Sequence, residues 1–126
     1  MALSIRAEPG RSFSTTLHLA GRLDNESVEH LDREVDRLLD SPLKVLVFDL
    51  GGLEYISSAG LRTFFRAQKS MKQRAGKVLF LNPQPQVRKV FDIAKAADLD
   101  SAFRDVRELD AYLDAMQKRV TEGGAE

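Results

Sequence analysis

Apolar and polar positions along this chain recur at two different periods, and the changes between them mark out its elements. Leu3 to Ala7 alternates loosely, and Glu8-Pro9-Gly10 reads as a turn. Phe13 to Ala20 places Phe13, Thr15, Leu17 and Leu19 on one face, the spacing of a half-buried strand. The two segments predict a hairpin whose second strand ends at Gly21. Val28, Leu31, Val35, Leu38 and Leu39 then form one apolar stripe, which predicts a helix of about four turns. Asp24-Asn25-Glu26-Ser27 supplies capping side chains ahead of it, and Ser41-Pro42 stops it.

Leu43 to Leu50 is a nearly unbroken apolar run rich in valine, the pattern of a strand covered on both faces. A loop, Gly51 to Gly60, leads into a second helix in which Leu61, Phe64, Phe65, Gln68 and Met71 face one way. Gly76 suits the left-handed position that closes a helix. Lys77 to Leu81 reads as a short buried strand, and Asn82-Pro83-Gln84-Pro85 as a rigid loop. Val87, Val90, Phe91 and Ala94 predict a third helix. Val106, Leu109, Leu113, Met116 and Val120 predict a last amphipathic one, with Tyr112 beside them. A further short strand is expected near Ala102-Phe103.

That order, β-β-α-β-α-β-α and then α, predicts a single α/β domain. Crossover connections imply a mixed sheet of four to five strands with about four helices packed on it. The domain is expected over residues 1–118, with 119–126 a disordered tail that has little apolar surface to bury.

Composition narrows the chemistry. The chain has 126 residues, one ordinary domain, and no cysteine, so disulfides, thiolate metal sites and cysteine nucleophiles are excluded. Nineteen basic residues balance 19 acidic ones, which leaves no electrostatic footprint for nucleic acid. No apolar run is long enough for membrane insertion, and the N-terminus lacks the apolar core of a signal peptide. A cytoplasmic protein is expected.

The chain carries none of the sequence motifs of the common catalytic constellations. Neither a G-x-x-x-x-G-K-[ST] loop nor a G-x-G-x-x-G turn is present, so no nucleotide cofactor is expected. Tyr55-Ile56-Ser57-Ser58-Ala59-Gly60 lacks the first glycine of a nucleophile elbow. The two histidines, His18 in a strand and His30 beside Leu31, have no metal-ligand spacing and are read as structural or solvent-facing. No catalytic residue, cofactor or metal is therefore expected, and a serine hydrolase is the least supported reading.

The serine pair itself allows two roles. One serine at a helix start accepts a backbone N–H and caps the helix, a contribution of roughly 1 kcal/mol. A serine there is also open to phosphorylation, because free N–H groups and the helix dipole tolerate an anion. The modification adds about −1.5 to −2 charges. If an unpaired charge at an interface costs about 4 kcal/mol, binding falls roughly a thousandfold. That reading requires the hydroxyl to stand exposed.

Several segments together make this chain resemble the STAS family of anti-sigma factor antagonists. They are Gly21-Arg22-Leu23-Asp24, Tyr55 to Leu61, and Asn82-Pro83 followed by Val87, Val90, Phe91 and Leu99. The resemblance runs from about Leu3 to Met116. In that family the loop usually reads D-S-[ST]-G-L, and its first serine is phosphorylated by a partner kinase that doubles as the anti-sigma factor. The resemblance puts that serine at Ser58, with Ser57 in the aspartate's place as the alternative acceptor, and Ala59 where the family has Ser or Thr. It implies partner binding through Asp24, Asn25, Tyr55, Ile56, Ser57, Ala59, Gly60, Leu61 and Arg62. The implied partners are an ATP-binding serine kinase/anti-sigma factor and a serine phosphatase. The alternative is a STAS adaptor that never switches, serving a transporter or sensory complex.

Overall fold

The computed structural model describes residues 2–96 and 105–122. Its elements run β1 (Ser4–Pro9), β2 (Ser14–Leu23), α1 (Val28–Leu39), β3 (Val45–Ile56), α2 (Ser58–Gln73), β4 (Lys77–Leu81), α3 (Pro85–Ala96) and α4 (Val106–Thr121). One four-stranded sheet has the order β1-β2-β3-β4. The first pair is antiparallel, and the β2/β3 and β3/β4 pairs are parallel. The fold is the expected mixed sheet with four helices among the described residues. The strand expected near Ala102-Phe103, and Leu99, lie outside those residues. Helix α4 continues through Thr121, so residues 119–121, expected in the tail, are helical.

One face of the sheet carries the core. Leu17, Leu19 and Leu23 of β2 and Leu46, Phe48 and Leu50 of β3 are sealed there. They meet Leu31 and Val35 of α1, Phe64 and Met71 of α2, Val87 and Val90 of α3, and Leu113 of α4. Phe64 packs edge-on to Phe48 at 4.8 Å and to Phe80 at 5.3 Å, which ties α2 to the middle of the sheet.

The other face is open, which corrects the expectation that β3 is covered on both sides. Val45, Val47 and Asp49 are only half-buried, and Leu79 and Leu81 of the edge strand β4 are 46% and 44% exposed. Valine suits the pleated backbone whether or not a second layer covers it. Phe13 also leaves the core face: at φ 60 it belongs to the hairpin turn and is 65% exposed. On α2, Phe65 turns outward and Ala67 takes the buried position. One residue is about 100° of helix, enough to carry a side chain off a stripe. The left-handed residue that ends α2 is Ala75, not Gly76.

Both central strands run further than the apolar pattern suggested. Strand β2 passes through Gly21 to Leu23, with Gly21 at φ +99, a region that glycine enters without strain. Strand β3 continues through Gly51-Gly52 to Ile56. Two register shifts against β2 each add one residue to β3, so the buried positions fall at Leu50, Leu53 and Ile56.

Beyond Asp49, β3 outruns its neighbour β4, and glutamines supply partners along that edge. Gln84 Nε2 donates to Gly51 O at 2.8 Å, and Gln86 Nε2 to Glu54 O at 2.9 Å. Gln117 of α4 takes both sides of Ile56, with Oε1 accepting its N–H at 3.0 Å and Nε2 donating to its carbonyl at 2.8 Å. Its amide thus stands in for a strand partner, and it is 2% exposed.

On the open face, His18 bridges two strands. Its Nε2 lies 2.7 Å from Glu8 Oε1 and its Nδ1 2.7 Å from Asp49 Oδ2. The Glu8 contact first, then Asp49, raise its pKa above 6.5, against burial and then the opposing charge of Arg6. The Asp49 carboxyl is held below its ordinary value, mainly by the Gly51 N–H and then by His18. The His18 contribution to stability is fully present below about pH 6.5 and fades as pH rises through the elevated value. The Asp49 contribution is present above about 3.8 and is lost as pH falls through the lowered value. The thermal midpoint is expected to decline as pH rises above about 6.5, and His18→Gln to flatten that decline. A decline equally steep in the variant would remove His18 as its source.

Candidate functional site

The loop from β3 into α2 lies beside the turn from β2 into α1. Asp24 holds that turn together, its Oδ1 accepting the N–H groups of Glu26 and Ser27 at 3.1 and 3.2 Å. Ser27 Oγ donates to Arg22 O at 2.7 Å and accepts the Asp24 N–H at 3.0 Å. Ser27 is the first-turn boundary of α1 but gives it no side-chain cap, because its hydroxyl is spent on the turn. Arg22 then links the turn to the loop. Its Nε is 3.6 Å from Asp24 Oδ2 and its guanidinium lies 3.9 Å from the centre of the Tyr55 ring.

At the start of α2 the two serines divide their roles. Ser57 is the N-cap, with extended φ and ψ of −96° and 175°, and its Oγ accepts the Gly60 N–H at 3.4 Å. Its own N–H donates to Leu23 O at 2.9 Å, which pins the loop to the end of β2. The capping role weighed for either serine therefore belongs to Ser57. The next residue follows a different pattern. The Ser58 N–H donates to Asp110 Oδ1 of α4 at 2.9 Å, yet Ser58 Oγ is buried with no hydrogen-bond partner.

Ser58 is 2% exposed and Ser57 3%. This corrects the expectation of a hydroxyl standing free at a helix start. Ile56 at 0%, Leu61 at 3% and Gly60 are buried too, so these expected contact residues face the core rather than a partner. The physical reason is the close seat of α2. A Cβ on Gly60 would lie 2.7 Å from Leu23 Cδ2 and 3.0 Å from Ile56 Cγ1, so glycine lets the helix start sit directly on β2 and β3. Gly60→Ala is expected to cost about 1–3 kcal/mol by overpacking, read from urea unfolding. A change too small to measure would mean that Leu23 moves aside freely.

What remains accessible is a rim around the buried serines. Asn25 and Arg62 are exposed, and Asp24, Tyr55 and Ala59 are half-buried. The Tyr55 hydroxyl is held above its ordinary pKa, by burial first and then by the negative charges of Asp114 and Asp110. The rim is thus acidic on its α4 side. Sequence reasoning missed Asp110 and Gln117. Their spacing of seven places both on one helix face, and a glutamine beside Leu113 and Met116 in an apolar stripe was the available signal.

Among the described residues no group of His, Asp and Glu side chains could hold a metal ion, and no helix is long and apolar enough to cross a membrane.

A mixed four-stranded sheet with helices on one face, and a serine loop leading from its central strand, define a STAS domain. The family model for the STAS domain matches residues 5–109, and the chain belongs to that family. Over 76 residues it is 37% identical to the "Putative anti-sigma factor antagonist BtrV" of Bordetella bronchiseptica, which spans 60% of this chain and 66%, just under two thirds, of that one. It is 26% identical over 82 residues to the anti-sigma F factor antagonist of Lysinibacillus sphaericus, covering 64% and 70% of the two chains. The unphosphorylated form of the anti-sigma factor antagonist SpoIIAA superposes with a TM-score of 0.68 at 22% identity, over 73% of this chain and 81% of that one. The phosphorylated form of SpoIIAA from Bacillus gives 0.63 at the same identity, over 72% and 83%. At that identity the likeness to SpoIIAA is one of fold.

Proposed function

We propose that this protein is an anti-sigma factor antagonist switched by phosphorylation of Ser58. Unphosphorylated, it docks an ATP-binding serine kinase that doubles as an anti-sigma factor, using Asp24, Asn25, Tyr55, Ala59 and Arg62, and a sigma factor is released. In the transfer step Ser58 Oγ attacks the γ-phosphorus of ATP. The new O–P bond forms as the bond to the bridging oxygen breaks, ADP leaves, and the hydroxyl proton passes to a base on the kinase. The phosphoserine weakens docking and a phosphatase restores it. The protein is the substrate in this cycle.

One observation carries the reading: the loop that resembles the family's motif holds, at the acceptor position, a serine whose hydroxyl does nothing for the fold. A buried hydroxyl without a partner costs about 1–3 kcal/mol. Its neighbour Ser57 already caps the helix, so Ser58 is not needed for that purpose.

The burial of Ser58 favours a second reading, a STAS adaptor that holds its partner by the same rim and never switches. Incubation with the kinase encoded beside this gene and ATP, followed by mass spectrometry, separates the two. Label is expected on the parent chain and on Ser57→Ala, and none on Ser58→Ala. Label that survives Ser58→Ala moves the site to Ser57, and no label on any form leaves the adaptor.

A further inference from the structure

We propose that α4 is a latch over the acceptor loop, and that a docked α4 and a phosphate on Ser58 exclude each other. The inference deepens the switch reading, and rests on it for the identity of the modification.

Three observations meet at this place. Ser58 Oγ is sealed from solvent and unpartnered. The Ser58 N–H, which at the start of a helix would serve a phosphate, is already occupied by Asp110 of α4. One residue before the serines, Ile56 is held at both its N–H and its carbonyl by Gln117 of the same helix. Helix α4 is thus attached to the loop at Ser58 itself and at Ile56, the residues on either side of Ser57. The anchors lie two turns apart, and Leu113, fully buried, sits between them.

The charge pattern sets the sign of the coupling. The resemblance assigns the motif's aspartate to position 57, where this chain has a neutral serine. A carboxylate nonetheless reaches the loop, from Asp110, and it comes from α4 rather than from the loop itself. A phosphoserine at 58 carries about −1.5 to −2 charges and would face Asp110 at hydrogen-bond range of the same N–H. Asp114, one turn along, adds a further negative charge felt at Tyr55. Two anions cannot share that donor in a dry site, so the phosphate takes the N–H and α4 leaves. By linkage the converse holds, and a docked α4 slows phosphorylation to the rate at which it opens.

The chain contains no cysteine, so Ser58→Cys introduces a unique thiol whose reaction with a disulfide reagent reports opening directly. In the full chain the thiol is expected to react at least about a hundredfold more slowly than a free thiol. Its rate should depend on urea far more weakly than global unfolding does. Adding Asp110→Ala is expected to speed the reaction by about tenfold, the factor that loss of a charge-assisted hydrogen bond carries. Asp105→Ala, which removes the α4 N-cap bond to the Glu108 N–H, should also speed it. Far-ultraviolet circular dichroism checks that both variants are folded. Labelling that follows global unfolding, or is unmoved by either α4 substitution, overturns the latch. These readings need no kinase. With the kinase, Asp110→Ala should raise the initial phosphorylation rate of Ser58. A faster thiol with no phosphorylation of any form would keep the moving helix and overturn the switch.

Discussion

Gln117→Leu is expected to lower the thermal midpoint by about 10 °C, because it strips partners from two backbone groups at once. The Ile56 N–H and carbonyl lie where β3 has outrun β4, and Gln117 satisfies both from a 2% exposed position. Each group left unsatisfied in the interior costs about 1–3 kcal/mol. Leucine fills much of the vacated volume and recovers some apolar burial, so a net loss of about 2–4 kcal/mol is expected. For a domain of this size each kcal/mol moves the midpoint by about 3–5 °C. Gln117→Glu separates the two bonds. A carboxylate still accepts the Ile56 N–H but has no proton for the carbonyl, so that variant should recover stability as acid protonates it. If Gln117→Leu shifts the midpoint by less than 3 °C, water reaches Ile56 and the glutamine is not holding the end of the strand.

Ser58→Asp is expected to have a comparable effect by a different route. It places a carboxylate in a sealed position next to Asp110, and an uncompensated buried charge costs roughly 3–5 kcal/mol. The chain has a cheaper escape, which is to release α4, so the observed loss is set by whichever of the two costs less. The expected signature is a smaller cooperative unfolding transition together with rapid proteolysis inside residues 105–122. Ser58→Ala is the informative partner. It removes a hydroxyl that has no hydrogen-bond partner, and it should leave the protein as stable as the parent or stabilise it by about 1 kcal/mol. A destabilising Ser58→Ala would mean that the hydroxyl is bonded in solution, and the case for a hydroxyl kept for function would weaken.

How far the chain could be read without coordinates varied along its length. The helices were legible because each buries one stripe, and a stripe at the 3.6-residue period is visible in the order of residues. The apolar run Lys77 to Leu81 carries the observed bounds of β4 but not its exposure, since Leu79 and Leu81 read alike whether or not a layer covers them. The second half of β3 read as a loop. Its buried residues Leu50, Leu53 and Ile56 are three apart, and a bulge converts the two-residue period of a strand into a spacing that belongs to neither strand nor helix. Nothing near His18 in the sequence marks its bridging role, because its two carboxylate partners come from different strands.

The serine loop shows the same division most sharply. Local chemistry alone led to the α/β class, the succession of elements, and a helix start marked by paired serines and a glycine, because periodicity and capping act between residues close in the chain. The backbone of that loop is held by Asp110 and Gln117, which lie 52 and 61 residues away from their partners in it. Contacts at that separation leave no periodic trace. The burial of the acceptor position is therefore decided by tertiary packing and not by the local order of residues.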